Sequence, residues 1–447
     1  MRWGSAHAVQ RWLEYGGAIV PRARARRTVL IEYGKPSCHR GGHSRVLPPM
    51  IPRTLETTLR RHAATFPAIF LTGPRQSGKT TLATAAFPQF RYISLEDLQT
   101  RDEAQSDPRG FLRRLEGESG VILDEVQRTP ELMAYLQGFL DQRRSGPFIL
   151  TGSEQLLMSQ HISQTLAGRV AILELLPFSL AELAQRSALE PEQLADADAA
   201  PRGLPPVSLD EILFRGLFPP IHDRGPDPSS WLDGYIRTYL ERDVRSVAMV
   251  GDLDAFTRFV GLCAGRAGQL LNLSSLGSHA GVTHTTARRW LSILRAAYLV
   301  DVIQPHFENF SKRLVKTPKL YFIDTGLLCH LLGIRRPDDI HLHPLRGSIM
   351  ENLVYCELRK VFLHHGQRAP LYFWRDGHGR EVDFLVDYGT RRLPIEVKAG
   401  ETLAADAFKG LDFYAGLSGD PDGVLVWGGS DSYTRGRHQV RAWWACS

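Results

Sequence analysis

The sequence predicts an α/β chain of several domains: a parallel sheet in the N-terminal part, helical connecting segments, and a second α/β unit at the C-terminus. Three stretches lead there. Ala68 to Leu71 is a short apolar run that enters Gly73-x-x-x-x-Gly78-Lys79-Thr80, after which Leu82, Ala85 and Ala86 are spaced for a helix packed on a sheet. VILDEVQ, residues 121–127, is a second apolar run that ends in two acids, Asp124 and Glu125. EVDFLVDYGTRRLPIEVKAG, residues 381–400, alternates apolar and charged side chains on either side of DYGTRR, the pattern of a β-hairpin.

The first stretch has the strand, loop and helix order that a phosphate-binding loop requires. Its nine residues, Gly73, Pro74, Arg75, Gln76, Ser77, Gly78, Lys79, Thr80 and Thr81, offer backbone N–H groups and a helix N-terminus to phosphate oxygens. Lys79 would reach the β- and γ-phosphates of ATP, and Thr80 would ligate Mg²⁺. In the second stretch, Asp124 would hold the Mg²⁺ shell, and Glu125 would orient or deprotonate the attacking water. FILTGSEQLL, residues 148–157, is a further apolar strand ending in small polar groups, where Thr151 or Ser153 would sense the γ-phosphate. RYISLED (91–97) and RVAILEL (169–175) bring the count to five strands separated by helical stretches, hence a parallel sheet covered on both faces. Arg169 reads either as a γ-phosphate arginine or as a surface arginine opening a strand.

Charge and cysteine usage narrow the classes. Nine of the 54 Lys and Arg but two of the 48 Asp and Glu fall in residues 1–49, leaving that segment at +7 and the rest of the chain at −1. The basic balance therefore gives no ground for nucleic-acid binding by the folded body. The segment itself, with RARARR and no sustained apolar period, reads as a disordered extension, or alternatively as a targeting peptide. The five cysteines, Cys38, Cys263, Cys329, Cys356 and Cys446, are scattered without a CxxC, which points to reduced thiols in a cytoplasm. No apolar run is long enough for a membrane span, so membrane proteins are excluded as a class.

From Met50 onward the chain resembles the bacterial AAA-type ATPases that join an N-terminal P-loop domain to a C-terminal domain of unknown function. The residues that carry the resemblance are IPRTLE (51–56), the P-loop, LDE (123–125), GSEQLL with LAGRV, and WLDGYIRTYLERDV (231–244). They continue with LSSLGSHAGVTHTTARRWLSIL (273–294), KLYFIDTGL (319–327), HPLRGSIMENLV (343–354) and the hairpin. The resemblance and the composition together imply five parts: a basic extension (1–49), the P-loop domain (50–185), a loop and helical lid or connector (186–250), a winged helix (251–325), and a restriction-endonuclease-like domain (326–447).

RSALEPEQLADADAAPRGLPP, residues 186–206, reads as a solvated loop. Trp231, Tyr235, Tyr239 and Val244 share one face of the helix that follows. Its charges, Arg237, Glu241, Arg242 and Asp243, form either a coupling network or a solvated face. Beyond Asp254, a short helix, the turn Gly281-Val282-Thr283 and a second helix have the spacing of a helix-turn-helix, with VDVIQ and KLYFI as its wing. Thr285, Thr286, Arg288 and Arg289 would face a DNA major groove, unless the module serves as a connector or docks a protein.

At the C-terminus, GSIMENLVYCELRK (347–360) is an amphipathic helix with Ile349, Leu353 and Cys356 on its apolar face and Glu351 beside it. A helical glutamate, then Asp383, then Glu396-x-Lys398, is the order found in restriction-endonuclease-like nucleases. Glu396 and Lys398 share one side of a strand, and Asp383 can face them from the paired strand. The carboxylates of Glu351, Asp383 and Glu396 would then hold a divalent cation, and the Lys398 amine would steady a hydroxide or the scissile phosphate. Two function classes follow: an ATP hydrolase that controls a DNA-directed, nuclease-like module, or a nucleotide-dependent assembly or regulatory protein with an inert scaffold. The partner, DNA or protein, and the oligomeric state are left open.

Overall fold

The computed structural model describes residues 50–142, 145–153, 166–196, 198–201, 205, 207–239, 252–306, 316–420 and 423–447. The basic extension 1–49, Glu154 to Leu157 of GSEQLL, and Glu241, Arg242 and Asp243 of the connector lie outside them.

AIFLT forms β1 (Ala68–Thr72), buried at every residue as expected of a central strand in a sheet covered on both faces. It is followed by β2 (Arg91–Ser94), β3 (Val121–Asp124), β4 (Phe148–Thr151) and β5 (Val170–Glu174). Every pairing is parallel, in the order β2-β3-β4-β1-β5. The five strands anticipated from the sequence are thus the five of this sheet. One face packs Phe70, Leu123, Leu136, Phe139 and Leu150; the other packs Leu55, Ile69, Leu71, Leu82 and Ile149. In a parallel sheet all strands point the same way, so the loops after β1, β3 and β4 gather at one edge, where ligands bind in such folds.

Helices Leu209–Arg215, Pro219–Asp223 and Pro228–Tyr239 follow the loop region. Next come Leu253–Ala264, Leu273–Ala280 and His284–Ala296. Asn272 caps the second of these three and Thr283 the third, each accepting the backbone N–H three residues further on, of Ser275 and Thr286. Gly281 (φ +81°) ends the helix between them in the left-handed conformation that lets the chain reverse this tightly. This is a helix-turn-helix arrangement, and β6 (Val300–Pro305) with β7 (Lys319–Phe322) follow it as an antiparallel pair.

Those two strands do not stand free as a wing. β6 also runs parallel to β8 (Leu371–Arg375), with Gln304 opposite Tyr372. The pair thereby extends a sheet containing β9 (Glu381–Asp387), β10 (Arg392–Lys398), β11 (Val424–Trp427), β12 (Tyr433–Arg435) and β13 (His438–Ala442). Its order is β12-β13-β11-β10-β9-β8-β6-β7. A boundary drawn at 325/326 therefore cuts between neighbouring strands. The 18-residue helix Arg346–Leu363 covers this sheet with Ile349, Leu353, Leu358 and Val361, which join the apolar cluster of the helix-turn-helix.

Candidate functional site

The loop after β1 takes the conformation of a phosphate cradle. Gly73 has φ +142°, and a Cβ there would stand 2.1 Å from the Leu175 carbonyl oxygen, so only glycine fits. Gln76 (φ +60°) and Gly78 (φ +93°) are also left-handed, which turns successive N–H groups inward above the helix Lys79–Ala86. The Lys79 ammonium donates to the carbonyls of Gly73 (3.0 Å) and Pro74 (2.8 Å). Burial brings its pKa down to about 8, against the opposing pull of Glu125 and Asp124.

Asp124, at the end of β3, is a hub. Thr80 Oγ1 donates to its Oδ1 over 2.7 Å, Tyr92 Oη donates to its Oδ2 over 3.0 Å, and Thr151 Oγ1 also donates to Oδ1. The Thr80 hydroxyl and the Asp124 carboxylate thus converge as a pair of hard oxygens, a donor set that fits Mg²⁺. Glu125 adopts φ +59°, ψ +44°, a conformation few non-glycine residues hold, and its carboxylate accepts from Gln127 Nε2 at 2.6 Å and Ser153 Oγ at 3.5 Å. Lys79, Thr80, Glu125 and Ser153 line one cavity of about 440 Å³, to which helix Pro228–Tyr239 contributes Tyr235 and Thr238. Thr151 is occupied in holding Asp124 and the Glu125 amide, so that of these two candidates it is Ser153 that lines the cavity.

Arg169 is a correction. Val170 stands opposite Ala68 in the parallel register, so Arg169 lies at the N-terminal edge of the sheet while the phosphate loop lies at the C-terminal edge. Its guanidinium instead forks onto Asp141 at 2.6 and 3.0 Å. Within this chain it is the surface arginine, not a γ-phosphate ligand.

Two features escaped the sequence reading. Arg53, two residues before the first helix, donates to the Ser77 carbonyl (2.7 Å) inside the phosphate loop and to Glu182 (3.1 Å) beyond β5. A second cavity of about 300 Å³ adjoins the loop at Gln76, Gly78 and Thr81, and its apolar walls are Ile51, Leu82, Phe178, Pro219 and Pro220. The IPR of residues 51–53 was the available signal for both.

The C-terminal candidates also meet, in a changed arrangement. Lys398 Nζ donates to Glu396 Oε1 at 2.6 Å, and Asp383 Oδ2 accepts the Val397 N–H at 2.9 Å. Glu396 is 9% exposed and its Oε2 has no hydrogen-bond partner. Burial, then the neighbouring Asp383, pushes the Glu396 carboxyl above the usual range; Asp383 is raised mainly by burial. A buried, unpartnered carboxylate oxygen beside a second carboxylate fits a hard cation at this end of the cluster.

The other end does not fit one. Glu351, expected as a third ligand, accepts from Lys319 Nζ at 2.9 Å and from Tyr321 Oη at 2.6 Å. The same ammonium, 2% exposed, pairs with Glu381 and stands 3.8 Å from Asp383. Lys319 therefore occupies the space between the carboxylates. Among the described residues, no three His, Cys, Asp or Glu side chains converge in metal-ligating geometry. Lys319 and Glu381 were missed because KLYFI reads as an ordinary apolar strand and Glu381 as the wet start of a hairpin.

A five-stranded parallel sheet whose first strand opens into the phosphate loop, with Asp124 and Glu125 ending the third, defines a nucleotide-binding ATPase core of the AAA type. The comparisons agree: an AAA domain matches residues 65–184, and two domains of unknown function, DUF8612 and DUF4143, match residues 207–338 and 346–445. The chain belongs to the family of the uncharacterized protein Rv2008c of Mycobacterium tuberculosis, with which it is 31% identical over 355 residues, 78% of this chain and 74% of the relative. The uncharacterized protein Mb2031c of Mycobacterium bovis matches with the same identity and coverage. Among solved structures, a Walker-type ATPase of Pyrococcus abyssi is similar at 16% identity and a TM-score of 0.39, covering 62% of this chain and 94% of that one. The RuvB Holliday junction branch migration motor of Thermotoga maritima is similar at 19% identity and a TM-score of 0.28, covering 56% and 87%. Among the described residues no helix is long and apolar enough to cross a membrane.

Proposed function

We propose that this chain is a Mg²⁺-dependent ATP hydrolase whose nucleotide state acts on its C-terminal α/β unit. The observation that carries the reading is the convergence of Lys79, Thr80, Glu125 and Ser153 on one cavity, with Asp124 bonded to Thr80 beside it. Lys79 would exchange its two carbonyl partners for the β- and γ-phosphates, and the loop amides would hold the phosphate oxygens. Thr80 and Asp124 would hold Mg²⁺, which neutralises charge on the phosphates when bound. Glu125 would accept the proton of the attacking water, with Gln127 and Ser153 fixing its carboxylate beforehand. The base would lie in the adjoining apolar cavity against Ile51, Phe178 and Pro219.

Two readings of the C-terminal part have separate support. A DNA-associated, nuclease-like role is supported by Asp383, Glu396 and Lys398, where a divalent cation would supply Lewis-acid activation of a phosphodiester. The exposed Thr285, Arg288 and Arg289, with Thr286 beside them, would offer hydrogen bonds to DNA from the helix-turn-helix. The lysine-bridged cluster favours the second reading, a regulatory or assembly module on a nuclease-like scaffold, because Lys319 already compensates Glu351, Glu381 and Asp383.

One assay separates them. Purified chain is incubated with Mg·ATP, with and without supercoiled DNA, and phosphate release and nicking are scored in the same tubes. Hydrolysis with nicking that is lost in Lys398→Ala supports the nuclease reading, and hydrolysis without nicking in Mg²⁺ or Mn²⁺ supports the regulatory one. Absence of hydrolysis under every condition would reject the ATPase proposal itself.

A further inference from the structure

The phosphate loop and the C-terminal cluster are joined by a continuous set of buried and partly buried contacts. Thr72 is the last residue of β1, immediately before Gly73. Its hydroxyl lies 3.1 Å from Tyr298 Oη, a residue that follows the helix-turn-helix. Directly opposite Thr72 in the sheet is Glu174, and the Glu174 carboxylate accepts from Arg359 at 2.7 Å. Thus both strand ends that support the loop are gripped from outside the ATPase sheet. The grip is rigid: Tyr298 is 3% exposed and held at φ +56°, a conformation that a bulky residue keeps only when its surroundings enforce it.

Arg359 carries the connection onward. Its second amine is 3.1 Å from Asp301, and Asp301 accepts from Tyr355 Oη at 2.8 Å. The Tyr355 ring stacks on Tyr321 with centroids 4.4 Å apart, and Tyr321 donates to Glu351 at 2.6 Å, where Lys319 is also bound. Arg359 and Glu351 stand on one helix, Arg346–Leu363, eight residues or about 12 Å apart along its axis. That helix also supports the loop by a second route: Glu357 accepts the Leu180 N–H at 2.8 Å, and Lys360 donates to the Phe178 carbonyl at 2.7 Å.

Resting on the ATP-site reading above, we infer that Tyr298 and Arg359 are positioning residues for the phosphate loop. We also infer that nucleotide occupancy is coupled, through Arg359, Asp301, Tyr355 and Tyr321, to the state of the Glu351–Lys319 cluster. Any ligand or bond change that shifts Glu351 alters the grip on Thr72 and Glu174, and nucleotide binding acts back on Glu351 by the same free energy.

The test uses the full chain with Glu125→Gln to halt hydrolysis, and reads the affinity for fluorescent Mg·ATP. Tyr321→Phe and Tyr355→Phe each remove one hydroxyl from the middle of the route, far from the nucleotide. Tyr388→Phe is the control, since it also deletes one hydrogen-bonded tyrosine hydroxyl, here donated to the Pro191 carbonyl at 2.6 Å, off the route. The expected result is Mg·ATP affinity at least about fivefold weaker in Tyr321→Phe or Tyr355→Phe, the low end of typical coupling, and unchanged in Tyr388→Phe. Combining Tyr321→Phe with Arg359→Lys should then weaken binding no further than the more severe single change, because both cut one route. Equal affinities in the route and control variants, or fully additive losses, would overturn the coupling while leaving the ATP site intact. Failure of the Glu125→Gln parent to bind Mg·ATP would overturn the ATP-site reading and the coupling together.

Discussion

Arg53 Nε lies 3.1 Å from Glu182 Oε2, with the two side chains 6% and 2% exposed. The pair ties the segment before the first helix to the segment after β5, and through the Arg53 bond to Ser77 it holds the floor of the phosphate loop. Burial alone would raise the Glu182 carboxyl, but Arg53 and then His364 outweigh it and hold its pKa well below the usual range.

Breaking this pair leaves a buried charge without its partner. Arg53→Met should therefore cost about 3–5 kcal/mol in urea denaturation and weaken nucleotide binding as well. Because the folded pKa of Glu182 is depressed, its stabilisation is complete above the ordinary carboxylate range and lost as pH falls through the folded value. The wild type should lose more stability than a Glu182→Gln variant in going from pH 6 to pH 3. Parallel acid profiles would contradict this assignment.

Gly73→Ala places a methyl group where the Leu175 carbonyl stands, in a backbone conformation that alanine resists. We expect a loss of about 2 kcal/mol or more, with nucleotide binding abolished even in the fraction that folds. Thermal melts with and without Mg·ATP check it. A variant that Mg·ATP still stabilises as it does the wild type would show that the loop tolerates the shift.

The lowered pKa of Lys79, about 8, fixes the sign of two pH effects. An ammonium is needed to pair the phosphates, so Mg·ATP affinity should fall as pH rises from 7.5 to 9.5, and binding should take up protons there. Without nucleotide the sign reverses: the folded value lies below the ordinary 10.5, so this group's contribution to stability grows as pH rises between the two. Fluorescence titrations in buffers of differing ionisation enthalpy measure the first effect. Affinity flat across that range would mean that Lys79 is fully charged throughout.

Lys319→Gln removes the ammonium between Glu351, Glu381 and Asp383. Three partly buried carboxylates then repel one another, at about 3 kcal/mol. Mn²⁺ should restore much of that stability in the variant and raise the wild-type melting temperature less, because a divalent cation can replace the lost charge. Equal Mn²⁺ responses would show that the lysine does not stand in a cation-binding position.

The parts of the chain legible in the sequence are those in which neighbours along the chain are also neighbours in space. Gly73 to Thr81 is one loop running into a helix, and Glu125 directly follows Asp124 at the end of β3, so motif and alternation were sufficient. Arg169 stayed open between two roles for a topological reason: in a parallel sheet the first and last residues of a strand lie at opposite edges, and only the register with β1 shows which edge holds the loop. Lys319, Glu381 and Arg53 act on partners 24 to 129 residues away or on a strand that is not their own, which local periodicity does not report. The wing was legible as two strands, but its incorporation beside β8 depends on a parallel pairing across nearly 70 residues. On the charged face of the hairpin Glu396 is 9% exposed while the Lys398 side chain keeps 39% of its surface, a difference that alternation along the strand does not report.

The most direct measurement is a paired comparison of Mg·ATP binding and turnover in the wild type, Lys79→Ala and Glu125→Gln. Lys79 supports binding and Glu125 supports water activation, so Lys79→Ala should neither bind nor hydrolyse. Glu125→Gln should bind within about threefold of the wild type and lose hydrolysis by about a hundredfold or more. Turnover near the wild-type rate in Glu125→Gln would contradict the account, because the residue held by Gln127 and Ser153 at the cavity wall would then not be the base.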